Sequence, residues 1–337
     1  MAEITIVGAG AFGTALALKV HFNGHTTRVW CFERELPEIV RETGENRMYL
    51  DGITLPEDIV FSSDPEKAVK GSDLILFVVP SAHLRKTVQL FKPYVNRSHL
   101  ILTATKGIEH QSNALMSTVM DEELPGFRDN LAFMSGPSFA RDVAKGLPTD
   151  LSCAAYDIET ARKVQDIIHS KTFRIYTHTD VIGLELGGSL KNVIAIACGA
   201  SDELGLGLSA RAALMTRGLS EISRLGSVMG ANPLTFQGLS GLGDLILTCT
   251  GDLSRNRTLG REIARGRSAS EIVGSQKSVA EGYVTARPAV ELSDTYSVDM
   301  PLSRAVYEVC YNDFGLQDAI NSLMERARKD EFTGFIV

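Results

Sequence analysis

Residues Ile4–Gly13 read I-T-I-V-G-A-G-A-F-G, a β-branched run that ends directly in G-x-G-x-x-G. A strand feeding that glycine pattern is the opening of a βαβ unit built to bind a dinucleotide. The three glycines have separate tasks. Gly8 permits the tight turn out of the strand, Gly10 lets the backbone approach a pyrophosphate, and Gly13 lets the next helix pack close to the sheet. The spacing predicts that helix over Ala11–Asn23, with free N–H groups at its start for a phosphate. Gly24-His25 stops it, Thr26–Phe32 reads as a second strand, and Glu33 stands twenty positions past Gly13. An acid at that distance matches the residue that meets the adenosine ribose. The competing reading is a glycine turn in a sheet protein without a cofactor, and it leaves this surrounding pattern unexplained.

The 337 residues carry a formal charge of −7, with 44% hydrophobic and 22% charged residues, which suits an ordinary globular chain with room for two domains. The acidic balance argues against a general nucleic-acid binder, though not against a local basic pocket for an anionic metabolite. No run of about 18 apolar residues appears, so no membrane span is expected. The N-terminus enters a strand at once, which leaves no room for a signal peptide. Five dispersed cysteines without C-x-x-C fit a reducing cytosol and no disulfide framework. No histidine or cysteine spacing suggests a metal.

Strand and helix signals alternate through the first half. Ile59–Ser62, Asp73–Pro80, His99–Thr105, Leu131–Ser135, Asp150–Ala154 and Phe173–Thr177 read as strands. Asp64-Pro65 caps and starts a helix, His83–Lys92 forms another, and Ile158–His169 a third. The pattern predicts an α/β fold, a Rossmann-type doubly wound sheet with helices on both faces. Strand signals then nearly vanish. Helices are expected over Asp180–Asp202, Ala210–Met229, Lys277–Leu292, Pro301–Asn312 and Gln317–Arg328, with Gly238–Asp244 as a glycine-rich loop. The expected division is a dinucleotide-binding domain over 1–187 and a C-terminal all-helical substrate-binding domain over 188–330.

Ligands of an open α/β sheet lie beyond the carboxyl ends of its strands. Lys106 follows one such end and could hold a phosphate or a substrate oxygen; otherwise it is a surface lysine. The loop Ser135–Ala140 follows another, with Gly136, Ser138 and Ala140; it is a nucleotide-facing loop or simply a tight turn. Lys191-Asn192 lies inside the first long helix, and Lys191 shares one face with Ala195 and Cys198-Gly199. That face is small enough to run close under another element. A lysine so desolvated falls from its usual pKa toward 7 to 8 and can exchange a proton with an alcohol; the alternative is a lysine snorkelling at the helix edge. Asp244, in G-L-G-D-L, could orient Lys191 or act as a helix cap, with Thr248 four residues on. Ser254-Arg255-Asn256 starts a further helix, either as an oxyanion pocket or as a solvated cap. Glu281, in V-A-E-G from Val279, could meet a ribose or a cofactor amide.

Taken in order, these motifs resemble the NAD(P)-dependent glycerol-3-phosphate dehydrogenase family over nearly the whole chain. They are G-A-G-A-F-G-T-A-L-A at 8–17, T-K-G-I-E at 105–109, S-G-P-S-F-A at 135–140, L-K-N-V-I-A-I at 190–196, G-L-G-D-L at 241–245 and S-R-N-R at 254–257. The resemblance implies interconversion of sn-glycerol 3-phosphate and dihydroxyacetone phosphate with NAD or NADP, serving phospholipid synthesis, in a cytoplasmic homodimer. It implies Lys191 as the catalytic base, with Asp244 beside it. Substrate contacts implied or expected are Lys106, Gly136, Asn192, Thr248, Ser254, Arg255 and Asn256. Cofactor contacts are Gly8, Gly10, Ala11, Phe12, Gly13, Lys106, Ser138, Ala140, Arg255, Val279 and Glu281, joined by Phe32, Glu33 and Arg34 at the end of the second strand. Members that prefer NADP often carry arginine or histidine where this chain has Phe32. A carboxylate at 33 repels a 2′-phosphate, Arg34 offsets it, and tolerance of both cofactors is expected.

Two other functions compete. A dehydrogenase of another small hydroxy acid or sugar acid would share the two domains and a helix lysine, but would not need the extra donors of S-R-N-R and K-G-I-E. A non-catalytic dinucleotide sensor would not need a poised lysine at all.

Overall fold

The computed structural model describes residues 1–275, 280–328 and 330–331. The chain divides into two compact units: residues 1–105 with 116–181, and residues 106–115 with the chain from 182 onward.

In the first unit the strands are β1 (Glu3–Val7), β2 (Thr26–Trp30), β3 (Glu45–Asn46), β4 (Leu50–Thr54), β5 (Val60–Ser62), β6 (Leu74–Phe77), β7 (Leu100–Thr103), β8 (Leu131–Ser135), β9 (Thr149–Ala155) and β10 (Phe173–His178). Its helices are α1 (Ala11–Phe22), α2 (Leu36–Thr43), α3 (Pro65–Val69), α4 (Leu84–Phe91), α5 (Met116–Glu123), α6 (Ala140–Ala144) and α7 (Ile158–Ile168). Eight strands form one sheet in the order β10-β9-β8-β7-β6-β1-β2-β5. Every neighbouring pair is parallel except β8 with β9. The chain leaves β1 toward β2 and later returns to β6 on the other side of β1. The carboxyl ends of β1 and β6 therefore flank the switch point, where such sheets bind nucleotides.

The central strands are apolar on both faces because both are covered. Leu74, Ile75, Leu76 and Phe77 of β6 are all fully buried. Phe91 of α4 meets Phe77 and Trp30 edge-on at centroid distances of 6.0 and 5.2 Å, a geometry that adds about 1 kcal/mol per pair beyond burial. Asp64 caps α3 by accepting from the N–H groups of Glu66 and Lys67, with Pro65 at the first helical position. The β3–β4 hairpin, absent from the sequence pattern, stands apart as its own two-stranded sheet.

The second unit contains α8 (Val181–Glu203), α9 (Gly207–Val228), α10 (Asp244–Thr250), α11 (Arg255–Ala264), α12 (Ala269–Ser275), α13 (Glu281–Thr295), α14 (Pro301–Tyr311) and α15 (Leu316–Met324). Helix α8 is long and apolar enough to cross a membrane by length and composition, yet 89% of that window is buried inside the protein. Leu186, Leu190, Ile194 and Cys198 of α8 share one apolar cluster with Ile222 and Leu225 of α9 and Leu245 and Cys249 of α10.

Several local expectations change. Helix α8 begins at Val181, so a boundary at 187/188 falls inside it. The second unit is mostly rather than wholly helical, since it takes in Lys106–Leu115, where Ile108 and Leu115 form an isolated antiparallel bridge. Gly238–Asp244 is not a loop: a 3₁₀ turn over Pro233–Gln237 runs into a π-helical turn over Leu239–Gly243 and then α10. Tertiary packing overrides the weak helix preference of those glycines. Helix α13 starts at Glu281 rather than Lys277, because Ala280 is its extended N-cap residue; Lys277 itself lies outside the described residues.

Candidate active site

Lys191 sits midway along α8, 6% exposed, among residues small enough for close packing. Gly199, two turns on, permits a close approach: a Cβ there would lie 2.0 Å from the Arg257 carbonyl oxygen of α11. Burial of the lysine leaves its ammonium two hydrogen-bonding side chains, Asp244 and Thr248. Lys191 Nζ donates to Asp244 Oδ1 at 2.7 Å and to Thr248 Oγ1 at 2.6 Å. The other oxygen of Asp244 accepts from Lys106 Nζ at 2.7 Å. One carboxylate, 1% exposed, thus lies between two ammonium groups.

Asp244 is the first residue of α10, and Thr248 is one turn later on the same face. The π-helical turn before it sets the register that sends both side chains toward α8. Asp244 is therefore not a helix cap; its carboxylate is spent on the lysines. Lys106 reaches it because Gly107 N donates to Ser189 Oγ at 2.9 Å, fastening that segment to α8.

Burial lowers the Lys191 pKa, Asp244 pulls it back up, and the neighbouring Lys106 lowers it again, to about 8. An amine with that value exists in both protonation states near neutral pH, which suits a group that must donate a proton in one direction and accept it in the other. The snorkelling alternative fails, since the ammonium is buried and hydrogen-bonded to Asp244 and Thr248.

The S-R-N-R segment divides its labour. Ser254 is the N-cap of α11, its Oγ accepting from Arg257 N at 3.2 Å. Arg257 is buried and pairs with Asp202 at 2.8 Å and Asp252 at 2.7 Å, so it serves structure. Asn256 donates to Asn192 Oδ1 at 2.8 Å and accepts from Gly282 N at 2.8 Å, joining α11 to α8 and α13. Arg255, at the first position of α11, is the one residue of the segment that retains exposed surface; partial burial of its guanidinium lowers its pKa, and the Glu281 carboxylate opposes that shift. Val279, expected beside the cofactor, lies outside the described residues.

In the first unit the glycine loop has the backbone geometry its spacing predicts. Gly8 has φ +118°, and a Cβ there would stand 2.5 Å from Val78 O at the end of β6. A Cβ on Gly13 would strike Gly8 O at 1.9 Å, whereas one on Gly10 meets nothing within 4 Å. Gly10 is the N-cap of α1 with no side-chain cap, and the first turn, Ala11 and Phe12 included, carries no acid. Uncapped N–H groups beside open space are the donor set a pyrophosphate needs, so these residues fit the group. Gly136 turns with φ +142°, and Ser138 Oγ donates back to Gly136 O at 3.1 Å, just before Ala140 opens α6. At the end of β2, Phe32 is 81% exposed, Glu33 is half-buried and Arg34 is exposed.

Residues that the sequence reading passes over also matter. Asn46, fully buried in the β3–β4 hairpin, donates to the glycine-loop carbonyl Ala9 O at 2.8 Å and to Thr14 Oγ1 at 2.7 Å. Tyr49 donates to Glu33 Oε1 at 2.6 Å. Neither belongs to a motif, and their only signal is a polar stretch between two strands. Among the described residues no group of three or more His, Cys, Asp or Glu could hold a metal ion.

A doubly wound sheet with a glycine loop, and a helical unit carrying a desolvated lysine on a shared carboxylate, together define a nicotinamide-dependent dehydrogenase. Models of the N-terminal and C-terminal parts of NAD-dependent glycerol-3-phosphate dehydrogenase match residues 3–161 and 180–321. The chain belongs to that family. It is 46% identical over 333 residues to the glycerol-3-phosphate dehydrogenase [NAD(P)+] of Geobacter sp. (strain M21), covering 98% of this chain and 99% of that one. The crystal structure of glycerol-3-phosphate dehydrogenase from Coxiella burnetii superposes with TM-score 0.92 at 37% identity, over 96% and 99% of the two chains. The yeast glycerol-3-phosphate dehydrogenase gives 0.81 at 30% identity, with the same coverage.

Proposed function

We propose that this protein interconverts sn-glycerol 3-phosphate and dihydroxyacetone phosphate, using NAD or NADP. The observation that carries the chemistry is the buried Lys191 ammonium, held by Asp244 and Thr248 with its pKa lowered to about 8. The nicotinamide, when bound, supplies or accepts the hydride at C2 of the substrate. Lys191 donates its proton to the carbonyl oxygen in reduction and takes the hydroxyl proton in oxidation. Asp244 fixes the amine and shares its charge with Lys106, which anchors the substrate. Arg255 is the guanidinium offered to the phosphate at the start of α11, where the helix end favours an anion. Asn256, Asn192 and Ser254 fix that helix start, and Gly136 lines the substrate side of its loop. Gly8–Gly13, Phe32–Arg34, Ser138, Ala140, Val279 and Glu281 serve the cofactor.

Phosphate contacts remote from C2 contribute orientation as well as binding. Turnover of dihydroxyacetone phosphate with NADH and with NADPH, set beside unphosphorylated dihydroxyacetone, tests the reading. A preference of at least about 1,000-fold in kcat/KM for the phosphate is expected. Similar rates for the two would favour a dehydrogenase of another small hydroxy acid. A cytosolic homodimer belongs to the same proposal; sedimentation equilibrium returning a single-subunit mass at micromolar concentration would remove the dimer.

A further inference from the structure

The β3–β4 hairpin is joined by side chains to two separate parts of the nucleotide site. Asn46 donates to Ala9 O in the glycine loop and to Thr14 Oγ1 in the first turns of α1. Asn46 Oδ1 accepts from Tyr49 N at 3.3 Å, and Tyr49 Oη donates to Glu33 Oε1 at 2.6 Å. A chain of hydrogen bonds therefore runs from the loop that faces the pyrophosphate to the acid at the end of β2. Arg141 of α6 adds a third tie, donating to Asp51 Oδ1 at 2.5 Å.

The consequence concerns Glu33. A carboxylate on a flexible side chain can swing away from an incoming 2′-phosphate, and Arg34 could then neutralise that phosphate. Anchored by one oxygen, Glu33 keeps its second oxygen as a fixed acceptor. Glu35 adds a further negative charge, close enough to act on Tyr49. The end of β2 thus presents two carboxylates and one guanidinium. A ribose 2′-hydroxyl can donate to such a site, whereas a 2′-phosphate brings like charge and no donor. The Tyr49 hydroxyl keeps its proton throughout, because burial and the hydrogen bond to Glu33 push its pKa up to about 12.

We propose that Tyr49 is a positioning residue for cofactor preference: by holding Glu33 it biases a chain that accepts both cofactors toward NAD. This rests on the dehydrogenase reading only in needing a dinucleotide at the glycine loop. Binding of NADH and NADPH measured by fluorescence titration without substrate therefore separates its failure from failure of the substrate assignment. The full-length wild type should bind NADH at least about 10-fold more tightly than NADPH. Tyr49→Phe should reduce that ratio about 3- to 10-fold, chiefly by weakening NADH, as expected for loss of a hydrogen bond to a charged group. Glu33→Gln should reduce it at least as far, and adding Tyr49→Phe to Glu33→Gln should change the ratio no further, since both act through one interaction. A melting temperature for Tyr49→Phe close to wild type would accompany the shift. Equal wild-type affinities would overturn the proposal. So would a Tyr49→Phe effect equal for both cofactors, the mark of a structural role, or independent effects in the double variant.

Discussion

The glycine loop of the first unit and the lysine centre of the second meet opposite problems. The loop offers an anion backbone alone: Gly10 caps α1 with no side chain, and its surroundings are open. Its requirements are steric and local, so they are written in ten consecutive residues. The lysine centre works with buried charge. Lys106, Lys191 and Asp244 come from distant segments, with sequence separations of 138 and 53 residues to the aspartate. Each charge is tolerable only because the others are present. Backbone sites are therefore legible as motifs, and charge sites become legible only when the fold assembles them.

The first and largest test of that contrast is Lys191→Met. Removing a general acid–base group should lower kcat by about 1,000-fold while NADH affinity stays within about 3-fold; stopped-flow turnover and a binding titration check it. A comparable loss of affinity would mean the two regions are not separable. Asp244→Asn should cost about 100-fold in kcat. It also removes the carboxylate that raises the Lys191 pKa and leaves Lys106, which lowers it, so the alkaline limb of the reduction profile should move to lower pH. An unmoved limb would break the link between the pair. Gly13→Ala reverses the pattern. Its Cβ would meet Gly8 O at 1.9 Å, so stability should fall by about 3 kcal/mol and cofactor affinity with it, seen by calorimetry and titration. Thr248→Val, removing one 2.6 Å hydrogen bond, should lower kcat about 5-fold and leave cofactor affinity unchanged.

Much of the fold was readable because its signals are periodic or terminal. The apolar run at Leu74–Phe77, the Asp64-Pro65 start and the Ser254 cap all form where their chemistry predicts. The β3–β4 hairpin was not, since β3 has two residues and its register shifts, leaving no alternation to detect. The segment Lys106–Leu115 follows a strand of one unit yet belongs to the other, which no local pattern encodes. At the site, the small face around Lys191 suggested burial, but its pairing with Asp244 came from the resemblance and from one open possibility. Asn256 was legible as a possible phosphate ligand, but not as an amide that also joins three helices. Tyr49 and Asn46 gave no signal, because hydrogen bonds to a motif leave the motif itself unchanged.

Proton exchange by Lys191 is tested most directly by kcat/KM against pH in both directions of the reaction. Reduction needs the ammonium and oxidation needs the free amine. Reduction should therefore decline as pH rises through about 8, and oxidation should climb through the same value. Limbs of the same sign in both directions, or profiles that Lys191→Met leaves unaltered in shape, would contradict it.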